Sequence, residues 1–358
     1  MSDTLTSIDR LLEKSNELKN GPERIGVLEE AVRLADEQED LDAGFRARLE
    51  LIDSAAFGGR PDILLSAFAW CLAQHDSDPD RFPCNDLLWK YKWVVGHVTE
   101  FPDIPRAQIE AMLDDMARRF TEAGSTLHAV FQARRETLAA FGEIDAANRA
   151  TADIATSKRD WLSDCRACVY DGSAGFYAEQ QMDAKALAEA APILAGRAKC
   201  THVPHRTYGQ LLLPLLRLGR ADEAREYHEV GVHMIGDDPE FLSAAGLHLE
   251  YLAMTGELDE AIDLMQMHLP NAVATPSVFN RMRFYWSAWL LFVTLFEQAE
   301  RTVRLRLPAD FPLADARGSY EVAALMEWFG KEVRSLATQF DARNGNDYYQ
   351  RWAARRWR

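Results

Sequence analysis

Two short stretches carry residues that bind metals or do thiol chemistry. In DCRACVY, Cys165 and Cys168 have the spacing C-x₂-C. In AKCTHVPHRTY, Cys200 and His205 have four residues between them, and 31 residues separate the two halves. A C-x₂-C followed by Cys and His lies within the range of structural zinc sites, where four soft N and S ligands close a tetrahedron. The spacing predicts that Cys165, Cys168, Cys200 and His205 hold one ion, zinc or another thiophilic metal, with His202 as an alternative fourth ligand. Bound thiolates lose their protons at neutral pH, so binding would be coupled to local folding. Four protein ligands leave no open position, which favours a structural over a catalytic ion. Two other readings stay open. Cysteine packs as a small apolar residue, so the thiols could be plain core. A redox pair is the third reading, although such pairs prefer a βαβ setting that the sequence lacks. Cys71 and Cys84 read as structural.

Other motifs nominate no catalytic residue, and the chain is not expected to be an enzyme. HEVGVH, from His228 to His233, is one residue longer than a metalloprotease helix motif. A spacing of i, i+5 turns the second His about 140° around the helix, away from the first. There is no G-x-x-x-x-G-K-[ST], no G-x-G-x-x-G after a strand and no G-x-S-x-G elbow. The H-x-E with C-x-x-C signature of the zinc deaminases is missing as well. Trp89, Tyr91 and Trp93 alternate with Lys in LLWKYKWVV, which a base-stacking platform would also do. At helical spacing they read as core and groove wall.

Both cysteine stretches need a frame, and an aspartate ladder supplies one. Asp62, Asp103, Asp145, Asp183, Asp222 and Asp259 are separated by 41, 42, 38, 39 and 37 residues. Each follows a break and precedes an apolar-periodic helix. A period near 40 with a helix-start signal at fixed phase predicts stacked helical hairpins. Gly219 and Gly256 end one helix where a left-handed residue is cheap for glycine. Asp222 and Asp259 follow three residues later, placed to accept from free N–H groups and to meet the positive end of the helix dipole. Ala224 and Ala261 then let two helices approach closely. Gly142, Asp145 and Ala147 repeat the arrangement; Gly59 and Asp62 keep it with Leu64 in the alanine place. Glu100 and Gln180 stand where other units have the turn glycine.

These residues resemble the tetratricopeptide repeat, in degenerate form, over roughly residues 5 to 305. Tyr208 and Leu211 match the aromatic and leucine places of the first helix in the unit ending at Gly219. The resemblance implies an all-α, right-handed solenoid of seven to eight hairpins with a concave groove lined by the first helices. It further implies a scaffold or adaptor that binds a protein or peptide without chemistry; the alternatives are a thiol- or metal-dependent enzyme or redox or metal sensor using Cys165, Cys168, Cys200 and His205, or a regulator gated by a peptide. Carrying the groove phase onto this chain gives Arg46, Lys90, Gln132, Tyr170, Tyr177, Arg206 and Arg217 as groove residues, with Asp53, His97, Glu136 and Glu250 beside them. Aromatic and Arg side chains suit a peptide ligand. In the repeat frame both cysteine pairs fall near the start of successive first helices, parallel neighbours about 10 Å apart.

An N-terminal unit is expected from Ser7–Lys19 and Glu23–Asp36. The last unit is expected to pair Phe279–Glu297 with a helix before Pro308. The predicted organisation is a solenoid over 1–307, a linker with a capping helix (Ser319 to Arg343) over 308–343, and a basic tail over 344–358. The tail, with Trp352, Trp357 and its arginines, is expected to fray or lie back on the acidic body, or else to adhere to an acidic partner or membrane surface. The 358 residues carry a formal charge of −16, which argues against a nucleic-acid backbone as partner. The first twenty residues are charged throughout, with no apolar signal-peptide core. No stretch reaches 18 apolar residues. Five cysteines, an odd number, point to free thiols or metal in a reducing, cytoplasmic setting. The oligomeric state is left open.

Overall fold

The computed structural model describes residues 6–355. It divides into two compact units, Met1–Ser163 and Asp164–Arg358. The first is four helical hairpins: α1 (Ser7–Asn16) with α2 (Pro22–Glu37), α3 (Leu41–Phe57) with α4 (Pro61–Ser77), α5 (Asn85–Val98) with α6 (Arg106–Glu122), and α7 (His128–Ala140) with α8 (Ile144–Thr156). The second has three more: α9 (Arg166–Glu179) with α10 (Asp183–Leu194), α11 (His205–Arg217) with α12 (Ala221–Ile235), and α13 (Leu242–Thr255) with α14 (Leu258–Ala274). It ends with α15 (Val278–Glu297), β1 (Thr302–Arg304), β2 (Ser319–Glu321), α16 (Val322–Asn344) and α17 (Tyr348–Ala353). First helices pack on first helices: α3 on α5 and α5 on α7 in one unit, α9 on α11 and α11 on α13 in the other. Each unit is thus a run of stacked antiparallel helix pairs, and the fold is an all-α, tetratricopeptide-like solenoid.

The turn chemistry follows the ladder with two departures, in the third and fifth hairpins. Gly59, Gly142, Gly219 and Gly256 all take positive φ, between 68° and 82°. In the fifth hairpin the left-handed residue is Gln181, at φ 58°, and not Gln180, which caps the end of α9 at φ −88°. Asp183 is therefore the first residue of its helix, whereas Asp145, Asp222 and Asp259 are the second of theirs. Asp103 lies in the turn before α6, whose cap is Pro105. The aspartates are not themselves the N-cap residues. The N-caps of α4, α8, α10, α12 and α14 make no side-chain cap bond. The aspartates sit inside the first turn, where they oppose the dipole and take Arg partners such as Arg60 and Arg217. The alanine positions behave as the pattern requires: Ala147, Ala186, Ala224 and Ala261 are fully buried, as is Leu64 in the alanine place of its unit.

The end of the chain departs from the repeat. No helix precedes Pro308; Thr302 to Arg304 forms a strand that pairs with Ser319 to Glu321. Ala299, with φ 66°, closes α15, and the alternating residues after it suit an extended chain. The long helix accordingly starts at Val322 rather than Ser319. Its buried face holds Val322, Leu325, Phe329, Val333 and Phe340, and Gly345 (φ 72°) ends it. With no second helix to pair with, α15 packs on α16. The approach is close: a Cβ at Gly330 would lie 2.9 Å from Trp289 Nε1. The described part of the tail packs back on its own unit. Trp352 is buried, Trp286 Nε1 donates to the Ala353 carbonyl at 3.0 Å, and Asp341 accepts from the N–H groups of Tyr349 and Gln350. Arg356, Trp357 and Arg358, the rest of the basic tail, lie outside the described residues. No described helix is long and apolar enough to cross a membrane.

Candidate metal centre

Helix α9 begins with a sulfur cap. Cys165 is its N-cap, in extended conformation, and its Sγ accepts from the Cys168 N–H at 3.4 Å. That geometry uses one of the free donors at a helix start and puts Cys168, one turn on, 3.4 Å away sulfur to sulfur. Cys200 arrives from the other side. Gly196, at φ 68°, closes α10, and the N–H groups of Arg197 and Ala198 both reach the Pro192 carbonyl at 3.0 Å. Cys200 and Val203 then pair backbone to backbone at 3.1 and 3.3 Å, forming a tight turn just ahead of α11. Ala167, Ile193 and Val203 pack beneath this turn. The three sulfurs end within 4.8 Å of one another.

The donor set suits a thiophilic ion. Zn–S bonds of ≈ 2.3 Å in a tetrahedron put neighbouring sulfurs about 3.8 Å apart, so sub-ångström adjustment brings the thiols onto one centre. Cys165 and Cys200 are exposed and Cys168 is half-buried. Burial raises the Cys165 thiol, but hydrogen bonds from the Cys168 N–H and from the thiols of Cys168 and Cys200 outweigh it, and the net shift is downward. Burial first, and then Cys165, push Cys168 upward. One sulfur of the cluster thus ionises early at its neighbour's expense, and a soft cation would relieve that conflict.

His205 starts α11 but is not part of the thiol group. Its ring stacks on Phe241, with centroids 5.1 Å apart and planes 7° from parallel. Its Nδ1 is buried and has no hydrogen-bond partner. Burial, and then the neighbouring His202, lower its pKa. His202 Nε2 lies 2.9 Å from Glu240 Oε1.

Most of the groove residues hold modules together. Lys90 is buried and pairs with Asp53. Arg46 pairs with Asp9, Arg206 with the buried Asp171, and Arg217 with Asp183, at 3.2, 2.9 and 2.7 Å. Each of these links a residue to one about a repeat earlier; Arg81 to Asp42 and Arg119 to Asp76 do the same, and Arg225 reaches Glu260 about a repeat later. Gln132 is buried, and its Oε1 has no partner. Tyr177 is half-buried beneath Lys185, and Tyr170 is half-buried beside the thiols. Tyr91, one of the alternating aromatics, is core, with its hydroxyl donating to Asp115 at 2.8 Å.

The structure adds two groups of residues that the sequence reading left aside. A cleft of about 550 Å³ opens beside Cys165 and Tyr170 and is lined by Arg166, Arg197 and Lys199. A basic residue directly after Cys165 and another directly before Cys200 was the available signal. Farther on, His228, His248 and His268 are all buried. Their even spacing of 20 residues was the signal there. His228 and His233 of the HEVGVH stretch do point apart, one buried and the other exposed.

Fold and site together define a helical-repeat protein with three converging thiols. A chain in the crystal structure of the APC/C hetero-tetramer Cut9-Hcn1, a tetratricopeptide-repeat assembly, matches 99% of this chain with a TM-score of 0.53 at 14% sequence identity. This chain spans 64% of the length of that one. At such identity the likeness is one of fold. No family model and no curated protein matches the sequence.

Proposed function

We propose that the chain is a protein-interaction scaffold that holds a protein or peptide in a groove lined by its first helices, with a structural zinc site joining the fifth and sixth hairpins. The hairpin fold and its likeness to the Cut9-Hcn1 structure support the scaffold half. The observation that carries the metal half is the convergence of Cys165, Cys168 and Cys200 to within 4.8 Å from the starts of two neighbouring modules. His205, with an unpartnered buried Nδ1, is the fourth ligand in this reading. Arg46 and Arg206, whose side chains are 59% and 47% exposed, are the groove contacts best placed to exchange their ion pairs for a partner's carboxylates. Lys90 and Gln132 in the first unit, and Tyr170, Tyr177 and Arg217 in the second, are the other candidate groove residues of this reading. The odd cysteine count supports the cytoplasm as its compartment, and the charge of −16 speaks against nucleic acid.

Metal analysis of reduced protein is expected to find about one zinc per chain in wild type and less than a tenth of that in Cys165→Ser/Cys168→Ser, as a site that loses half its ligands requires. A metal-free reduced wild type ends the zinc reading. For the groove, an Arg46→Glu/Arg206→Glu variant with an unchanged melting temperature should lose proteins that wild type retains from native lysate; equal retention removes these residues from the interface.

One observation favours a second reading, a thiol-dependent enzyme or sensor. Cys165 caps a helix start, is exposed and has a lowered pKa beside a raised partner, as an attacking thiol requires. Fast alkylation of Cys165 in native protein after metal removal would support it. Labelling that only denaturant accelerates returns the cysteines to a structural role.

A further inference from the structure

We propose that the cleft beside the thiols is a binding site for a small anion bearing carboxylate or phosphate groups, with Arg166, Arg197 and Lys199 as its counter-charges. The charge balance is the first argument. In a chain with a formal charge of −16, three cations line one cleft, no Asp or Glu lines it, and none of the three is in an ion pair among the described residues. Elsewhere several arginines are engaged in module-to-module pairs, including three that the groove phase nominates, Arg46, Arg206 and Arg217.

The thiols do not account for these cations. Three thiolates around a divalent ion carry one net negative charge, with or without a neutral histidine in the fourth place. One cation balances it, and two remain.

The backbone fixes where the charges stand. Arg197 and Lys199 ride on the loop that Gly196 turns and that the Pro192 carbonyl ties down through two N–H groups. Arg166 is the first residue of α9, and Ala167 of the same first turn lines the cleft, so the positive end of a 14-residue helix faces it too. The half-buried Tyr170 ring provides one wall. A volume of about 550 Å³ fits a small molecule rather than an extended peptide. Arginine forks matched to planar carboxylate or tetrahedral phosphate oxygens account for the selectivity.

The site does not depend on the scaffold reading, and its test separates it from the zinc reading. Isothermal titration of the reduced full-length protein with inorganic phosphate, and separately with citrate, is run before and after metal removal. The expected result is saturable binding of at least one anion, weakened about tenfold or more in Arg197→Ala/Lys199→Ala, as loss of charge-assisted hydrogen bonds demands. Both substituted side chains are exposed, so circular dichroism should be unchanged. Lys331→Ala, on the exposed face of α16, is the control that should keep full affinity. Phosphate preference assigns a phosphate ester as the natural ligand class, and citrate preference a polycarboxylate. No saturable heat with either anion, or equal affinity in wild type and the double variant, overturns the proposal. Protein that holds no zinc but binds the anion defeats the zinc site and leaves the cleft standing.

Discussion

The second unit contains two trios with metal-binding chemistry. Cys165, Cys168 and Cys200 sit at the starts of α9 and α11; His228, His248 and His268 sit in the middles of α12, α13 and α14. At helix starts the backbone leaves N–H groups free, the chain can turn, and side chains can aim at one point. In mid-helix a side chain points where the packing directs it. The sulfurs accordingly converge, while among the described residues the histidines form no such group. His248 Nδ1 meets His228 Nδ1 at 3.1 Å, so the two neutral rings share a proton donor. His248 Nε2 stays buried and unpartnered. His248 fills the space that α12 leaves at Gly231, where a Cβ would come within 2.6 Å of its ring. The lesson is that location along the helix, more than residue type, decides between side chains that converge and side chains that pack.

Acid gives the largest effect that separates the two trios. Burial lowers the pKa of His228 from the ordinary 6.5 to about 4, with Arg225 lowering it further and Glu260 and Glu229 opposing. Burial, then His228 and His268, take His248 well below 6.5. Burial lowers His268 as well, against Asp237 and the Gly236 backbone. Between these values and 6.5 the unfolded chain binds more protons than the folded one. Stability is therefore full above about pH 6.5 and falls as pH drops toward 4. Melting temperature measured from pH 7 to pH 4 in Cys165→Ser/Cys168→Ser should show this loss, and added zinc should not protect. Protection by zinc in that variant would mean that the histidines bind metal after all.

A smaller effect tests the packing role. Gly231→Ala pushes a methyl into the His248 ring and is expected to cost about 1–3 kcal/mol, as overpacking does. Adding His248→Ala should recover most of it; denaturant titration of the single and double variants reads the coupling, and simple additivity would break the packing account. The smallest effect lies on the cysteine side. Gln181 holds a left-handed conformation in the turn of the hairpin that carries Cys165 and Cys168. Gln181→Gly should stabilise by about 1 kcal/mol, the usual penalty for a side chain there. A loss of stability would show that the Gln181 side chain makes a contact worth more than the strain.

The hairpins were legible because their marks are local. Glycine with positive φ, a carboxylate in the first turn and a small residue behind it recur in sequence at fixed offsets. Gln181 hid one turn because the conformation persisted while the residue type changed, and the phase slipped by one. The end of the chain was less legible. Thr302 to Arg304 pairs with Ser319 to Glu321 across a long loop, and no local mark shows such a partner. At the centre itself, the three converging thiols could be read from spacing, but the stacking of His205 on Phe241 depends on a residue 36 positions away. The groove residues were harder still, since a phase says which way a side chain points and not whether a neighbour has already claimed it.

The salt links between neighbouring modules have a mechanical consequence. Because Arg217 reaches Asp183 and Arg225 reaches Glu260, much of the ionic force that resists sliding acts across adjacent joints, with the pair of Arg283 and Glu179, which ties α15 to α9, as an exception. A load at one joint is then absorbed there, by breaking exposed contacts that re-form readily, instead of being passed along a rigid rod. Such a stack yields by many small bends, and added electrolyte softens it joint by joint.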